Sequence, residues 1–582
     1  MYLLIHKSAA VYGQSYTLIL NSNPLNFKFK ANSDSIFQIR QIKKISNYYI
    51  VNGYATFNID SISVNNKTKT IYAFLFIGKK YKIGNIIVSN DSGMPEATQN
   101  ITQKHINSIL DSTNFNKIIE DLLLNLENKG YPFAQIKAES LTEKKSDITL
   151  NLMLSKGPLF LFDTIQIEGN AKVKKKFLEA YLGLKSGNPY NETAYAKANE
   201  KLNQLPFLSP NRVPLMVFLN GGLARPYLYL QKKKSDQING IIGLAPSAAS
   251  GTQSQNLAFT GEFLLRLNNL FRNGKTIFIN WRSFQARSQE LKTGFNYPYL
   301  LGKPIGLDLG FELLKYDTLY TTLFRQIGFQ YYTSGLNGFK IFYNVGSTNL
   351  NTVDTLSIKT SKQFPIINAV SIAQYGLTGN FNFLDYRFNP RKGWLIETTA
   401  SAGSKTILRD NKIENIKFTS GGSRYNLYDS SVLKSNQYRL KLKLDKFFPI
   451  GSKSCIKIGT DIDRMIAPRI YFNEVLRLGG INSLKGFNEQ SIFATNFNML
   501  DIEYRYLLSS NSFVKAFWNG AYYEDNSYGK VKSSDTPWGF GIGANLETRA
   551  GILSIIYALG KEKNNKFDLR IGKIHFGISS YF

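Results

Sequence analysis

From Gln237 to the last residue, polar and apolar side chains take turns along short segments, a pattern few folds can use over so long a stretch. In Tyr438–Asp445, Tyr438, Leu440, Leu442 and Leu444 fall on one side, and Arg439, Lys441, Lys443 and Asp445 on the other. Phe339, Ile341, Tyr343 and Val345 alternate with Lys340, Phe342 and Asn344. Leu500, Ile502, Tyr504, Tyr506 and Leu508 alternate with Asp501, Glu503 and Arg505. A period of two belongs to strands with unlike faces, and one such strand is equally at home in a soluble sandwich. Charged faces recurring strand after strand, with no second apolar layer to cover them, predict a closed antiparallel barrel with an oily exterior and a wet interior. About sixteen strands are expected, an even number as in bacterial barrels of this kind. They begin near residues 237, 258, 275, 288, 303, 320, 338, 371, 393, 436, 453, 494, 512, 536, 551 and 573.

The connections carry a second signal. Arg272-Asn273-Gly274, Gly302-Lys303-Pro304 and Gly335-Leu336-Asn337-Gly338 read as tight turns, interleaved with long loops at 349–370, 406–435, 469–493 and 526–535. Short turns at one end and long loops at the other give a transmembrane barrel its polarity, and put the N-terminal part on the periplasmic, short-turn side. The chain is 43% hydrophobic, yet no run approaches the ~18–20 apolar residues of a membrane helix, which excludes a helical membrane protein but not a barrel. The 14% aromatic content suits strands and interfacial girdles. A single cysteine, Cys455, rules out an intrachain disulfide framework. The net charge of +30 reads mainly as a lysine-rich compositional bias. Lys174-Lys175-Lys176 and Lys232-Lys233-Lys234 are local enough to meet lipid phosphates. No nucleic-acid motif accompanies the charge, so nucleic acid is not an expected partner.

The first 235 residues repeat with a period of about 79: Gly78, Ile86 and Val88 are echoed by Gly157, Ile165 and Ile167, and Gly53-Tyr54 by Gly130-Tyr131. Three α/β units are expected, at 1–79 (the least complete), 80–157 and 158–235, each running strand, helices, strand, strand, ahead of a barrel at 236–582. In the first, a helix is expected near Ile36–Asn47. In the second, Lys82–Ser89 opens the unit, and Ile106–Leu110 and Phe115–Lys129 have helical spacing. Ile118, Ile119, Leu122, Leu123 and Leu126 form the apolar stripe of the longer helix, and Gly130 ends it. Phe133–Leu141 and Asp147–Leu154 make a hairpin. In the third, Phe160–Glu168 is a strand, with helices near Lys174–Leu182 and at Glu192–Leu205, the latter capped by Asn191. Such tandem units serve either as a rigid spacer or as sheet edges that pair with an extended peptide.

Residues 477–487 (Arg477, Leu478, Gly479, Gly480, Ile481, Asn482, Ser483, Leu484, Lys485, Gly486 and Phe487) fall in the loop between the eleventh and twelfth expected strands. Together with the repeats, the strand count, the Asn389-Pro390-Arg391-Lys392-Gly393-Trp394 turn and the Tyr581-Phe582 end, they make the chain resemble the BamA/TamA superfamily, in which tandem POTRA domains precede a sixteen-stranded outer-membrane barrel. The resemblance covers nearly the whole chain. It implies that the loop folds into the lumen and docks its tip on acidic residues of the wall. Lys485 stands where the family usually has arginine, and Asn519 where it tends to carry aspartate, so Lys485 is expected to pair with Asp501 or Glu503. A lysine lacks the planar two-pronged grip of arginine.

The resemblance also implies a weak seam between first and last strands, here carrying Gly240, Gly243 and Gly577, with Phe582 as an assembly signal. Its functional implication is insertion of outer-membrane proteins. The expected partners are unfolded barrel clients, outer-membrane lipid, and periplasmic or lipoprotein accessory subunits. The alternatives are a secretion pore for one partner polypeptide, a class that generally has two POTRA units and a plug helix, and a surface or lipid export accessory. Met1–His6 lacks the features of an export signal, so the chain reads as a mature form or one begun at a wrong methionine. Catalysis finds little support. His6, His105 and His575 fall in different regions, no nucleophile elbow or phosphate-binding glycine loop occurs, and no cofactor or metal is expected.

Overall fold

The glycines that repeat in the N-terminal part hold matching backbone conformations. Gly53 and Gly130 have φ of 93° and 99°, and Gly78 and Gly157 have φ of 72° and 67°. These left-handed values tolerate few side chains, so the repeat recorded in the sequence is a repeat of backbone geometry. The computed structural model describes residues 15–562 and 572–581, apart from 23–24, 33–34, 55, 66–69, 91–95, 145–146, 247–256, 286, 387–388, 430, 481–482, 510 and 549–550. The chain divides into two compact units, one of Met1–Phe162, Gly187–Thr193 and Phe218–Ala224, the other of Asp163–Ser186, Ala194–Val217 and Arg225–Phe582.

Three small sheets precede Gln237. The first differs from expectation. It opens with a hairpin, Ser15–Ser22 and Leu25–Asn32, and Ser15–Ser22 then runs parallel to Thr70–Phe76. Its helix is Ser35–Val51, and no second helix occurs among the described residues of the first 79. In the second sheet Asp147–Ser155 is central, parallel to Lys82–Asn90 and antiparallel to Gln135–Lys144. The helix Ser112–Glu127 covers it with Ile118, Leu122 and Leu126, and Asp111 caps its start by accepting from the Asn114 N–H at 2.7 Å. Ile106–Leu110 is not a helix. Its backbone bonds to the opening strand instead, with Asn107 N–H donating to Ile83 O at 2.8 Å and Ile83 N–H to Ser108 O at 2.9 Å. The companion helix lies earlier, at Glu96–Gln103.

In the third unit the expected strand breaks into Leu161–Phe162 and Gln166–Glu168, and the expected second helix into Glu192–Ala196 and Ala198–Gln204. Asn128 takes over the capping role expected of Asn191, its side-chain oxygen accepting from the Thr193 N–H at 2.9 Å.

The barrel strands begin at Gln237, Leu257, Lys275, Ser288, Ile305, Tyr320, Asn337, Val370, Gly393, Lys434, Ser454, Asn496, Phe513, Trp538, Gly551 and Lys573, each within two residues of expectation, and they close in that order. A short extra strand, Ser533–Asp535, pairs with the thirteenth. The apolar sides face outward: Ile341, Tyr438, Leu440, Ile502 and Tyr504 are exposed, whereas Asp445, Asp463, Asp501 and Glu503 are buried. The connections 271–274, 298–304 and 335–336 are short, as expected. At the other end, however, Gln285 pairs with Ser288 and the connection 317–319 is equally tight. Arg287 and Asp317 adopt left-handed conformations there, with φ of 59° and 46°. Apart from 247–256, which lies outside the described residues, the long connections come after the seventh strand. They fold on one another through Ile358, Phe364, Ile413, Phe418, Tyr428 and Tyr471, and Lys405 pairs with Glu474 beneath them.

At the short-turn end, the helix Lys175–Leu182 packs on the turns. Phe177 and Tyr181 meet Tyr299 edge-on, with ring centroids 6.1 and 5.9 Å apart, and Tyr299 stacks on Tyr332 at 4.7 Å. The Lys174 N–H donates to Arg272 O at 2.7 Å. A Cβ on Gly274 would lie 2.5 Å from the Phe177 ring, so this contact requires glycine.

Candidate functional site

The loop between the eleventh strand (Ser454–Ile466) and the twelfth (Asn496–Leu507) folds into the barrel around its own hairpin, Leu476–Leu478 paired with Ile492–Ala494. Leu478, Leu484, Phe487 and Ile492 form an apolar knot with Phe497 and Ala521. The barrel interior thus holds an apolar cluster around this hairpin.

Gly479 and Gly480 have φ of 108° and 99°. A Cβ on Gly479 would sit 2.2 Å from Asn488 O, and one on Gly480 would strike the Glu489 carboxylate. Ser483 Oγ closes this bend, accepting from the Gly479 N–H at 2.9 Å and donating to Gly479 O at 3.0 Å. Arg477 is far from the tip. It donates to Tyr320 Oη at 2.6 Å and lies over the Tyr316 ring at 4.6 Å, at the junction of the fifth and sixth strands.

Lys485 is 7% exposed. Its ammonium lies 2.7 Å from Asp501 Oδ1 and 3.4 Å from Glu503 Oε1. Both carboxylates have further partners. Lys457 reaches Asp501 at 3.2 Å and Asp445 at 3.1 Å, while Arg505 and Lys515 reach Glu503 at 2.6 and 3.1 Å. The period of two puts Asp501, Glu503 and Arg505 on one inward face, and strand register brings Lys457 opposite Glu503 and Lys515 opposite Arg505. Four cations and three carboxylates thus form one buried network across the tenth to thirteenth strands. Low dielectric makes such a network stable only when every charge has partners.

Asn519 holds the backbone of the tip. With its amide oriented to satisfy both atoms, it accepts from the Lys485 N–H at 2.7 Å and donates to Gly539 O at 3.0 Å. Gly486 (φ 95°) rests on the fifteenth strand, Gly551–Lys561, and Lys485 O lies against Gly539 of the fourteenth, Trp538–Thr548. A Cβ on Gly539 would lie 2.4 Å from Lys485 O, and one on Gly560 would lie 2.6 Å from Gly486 O. The tip therefore sits in a saddle made of two wall glycines. The sequence reading missed Lys457, Arg505 and Lys515 as partners, although their alternation was visible. Nothing in the sequence marks Gly539 or Gly560 as a seat.

The seam is the second candidate site. The first strand (Gln237–Pro246) pairs with the second over ten residues, but with the last (Lys573–Tyr581) only through Gln237↔Tyr581 and Ile238↔Ser580. The last strand pairs with the fifteenth over seven. Continued in register, Gly240 would face Ile578, Ile241 would face Gly577, and Gly243 would face His575, but no such pairing forms among the described residues. The Cβ positions of Gly240 and Gly577 look into open space, and Gly243 pairs with Thr260 of the second strand. Phe582 lies outside the described residues.

Residues 160–213 match the POTRA family, described as a surface antigen variable number repeat. The outer membrane protein assembly factor BamA of Buchnera aphidicola subsp. Acyrthosiphon pisum is 22% identical over 300 residues, 50% of this chain and 47% of its own. The match thus spans about half the length of that relative. Two solved structures share the fold over 94% of this chain and 98% of theirs: CdiB from Escherichia coli, with a TM-score of 0.54 at 15% identity, and CdiB from Acinetobacter baumannii, with 0.53 at 12%. With α/β sheets, one of them matching the POTRA family, ahead of a closed sixteen-stranded barrel, the chain has the POTRA-plus-barrel fold of these similar proteins.

Proposed function

We propose that the chain resides in the bacterial outer membrane, with its α/β units in the periplasm, and assembles outer-membrane proteins there. The seam carries this reading. Among the described residues, the first strand is paired on one side only from Asn239 to Pro246. Its free edge offers a row of backbone donors and acceptors to an incoming strand. In the second POTRA-type sheet, Gln135–Lys144 pairs with a single neighbour among the described residues and presents a similar edge on the way. Unfolded barrel proteins are the clients, lipid is the destination, and periplasmic or lipoprotein subunits are the accessory partners. The related assembly factor of Buchnera supports the same reading.

A second reading, CdiB-like polypeptide secretion, is favoured by the two CdiB folds and their coverage. It asks the client to pass through a lumen that the 467–495 loop crosses.

Cysteines at Gln237 and Tyr581 test the first reading, with Cys455 left buried and out of reach. Oxidised, the pair locks the seam. Assembly of a second barrel protein into liposomes should stop, and reduction should restore it. Equal assembly by the locked and reduced chains would sink the seam mechanism. Depletion in the cell separates the two readings, since broad loss of folded barrels supports assembly and loss of one exported polypeptide supports secretion.

A further inference from the structure

At the short-turn end of the barrel, a cavity of about 260 Å³ opens beside the start of the first strand, lined by Lys172, Lys232, Lys233 and Arg272 with a single carboxylate, Asp236. We propose that this cavity binds the phosphate of an anionic glycerophospholipid headgroup at the foot of the seam.

The walls are built by specific bonds. Asn268 Nδ2 donates to Ser235 O at 2.6 Å, and Asn269 Nδ2 donates to Lys172 O at 3.0 Å. Asp236 is already engaged, its Oδ1 accepting from the Asn268 N–H at 2.7 Å. Lys233 donates to Tyr386 Oη at 3.2 Å. Among the described residues, Lys172, Lys232 and Arg272 have no carboxylate within ion-pair distance. Four cations and one carboxylate line the cavity, and a phosphate would offset that excess of positive charge while accepting hydrogen bonds from the cations.

The surroundings favour a lipid over a free anion. Phe271, next to Arg272, is 74% exposed, and Leu301, on the neighbouring turn, is 83% exposed. Apolar tips beside a basic cavity suit the boundary between acyl chains and headgroups. The exposed run Lys174-Lys175-Lys176 begins the helix docked on these same turns, so both lysine runs of the sequence come to one end of the barrel. The inference rests on the membrane placement proposed above, and not on any transport step.

The test uses the full chain in neutral detergent, mixed with equal amounts of phosphatidylglycerol and phosphatidylcholine, and counts retained lipid by native mass spectrometry. Wild type should retain phosphatidylglycerol in preference, and inorganic phosphate at the same concentration should not displace it. In the combined Lys172→Gln, Lys232→Gln and Arg272→Gln variant, retention should fall roughly tenfold or more at unchanged heat-dependent gel mobility. Equal retention of both lipids by wild type, or undiminished retention by a folded variant, overturns the proposal. Displacement by inorganic phosphate assigns the cavity to the free anion and overturns the lipid. Should the triple variant fail to fold, the wild-type lipid preference and Lys232→Gln alone decide. Because no client protein is present, the outcome is independent of whether the seam mechanism holds.

Discussion

Asn519 shows how a neutral side chain can hold what a charge pair would otherwise hold. Its amide both accepts and donates, at the Lys485 N–H and at Gly539 O. An aspartate could only accept, leaving a carboxylate oxygen against a carbonyl. Asn519→Asp should therefore destabilise the folded barrel by about 1–3 kcal/mol, seen as a lower temperature for the shift in gel mobility. An unchanged shift would argue against the tip contact. Glu503 meets Lys485, Arg505 and Lys515, so Glu503→Gln leaves three cations short of a partner. A loss of about 3–5 kcal/mol is expected, again read from heat resistance, and intact resistance would mean that the network is solvated. The pairing of Lys485 with this face was legible because a period of two puts Asp501 and Glu503 on the same side. The grip of Asn519 on backbone was not, since a sequence shows which groups a side chain carries and not which backbone atoms approach it.

At the scale of elements, the loop tip is a fit between glycines. Gly486→Ala would bring a Cβ within 2.8 Å of the fifteenth strand, and Gly560→Ala would bring one within 2.6 Å of the loop from the opposite side. Each should unseat the tip, and protease access to the 467–495 loop should rise. Because the two substitutions break one contact, their combined effect should fall well below the sum. Additive effects would show that the loop and the wall act separately. The same scale explains the misplaced helix in the second unit. Ile106–Leu110 has helical spacing, but its backbone is spent on the opening strand, whereas Glu96–Gln103 carries only Ile101 as a large apolar residue and so left almost no periodic trace. Longer elements such as Ser112–Glu127 were legible because several turns repeat one apolar stripe.

On the scale of the whole molecule, one loop is fastened on several sides of the barrel. Arg477 reaches the fifth and sixth strands, Glu489 approaches Arg282 of the third at 3.7 Å, and Lys485 and Gly486 reach the twelfth to fifteenth. The tip thus braces strands adjoining the last one, while the seam itself has two residue pairs. At the other end, Phe177 and Tyr181 hold a helix on the turns through Tyr299. Phe177→Ala should cost about 3–5 kcal/mol at that contact. The segment 170–235 should then be cleaved faster in limited proteolysis, with the heat resistance of the barrel retained. Loss of both together would mean that helix and barrel fold as one unit.

Alternation along the chain was enough to determine the barrel, its sixteen strands and their inward charges, because side-chain direction in a strand depends only on odd or even position. Repeated glycines likewise disclosed the α/β units, since left-handed backbone needs glycine wherever it recurs. Tertiary structure alone decided the seat of the loop tip, the thin pairing at the seam and the meeting of two lysine runs beside Arg272. Each depends on distances between residues far apart in sequence, and no local pattern encodes those.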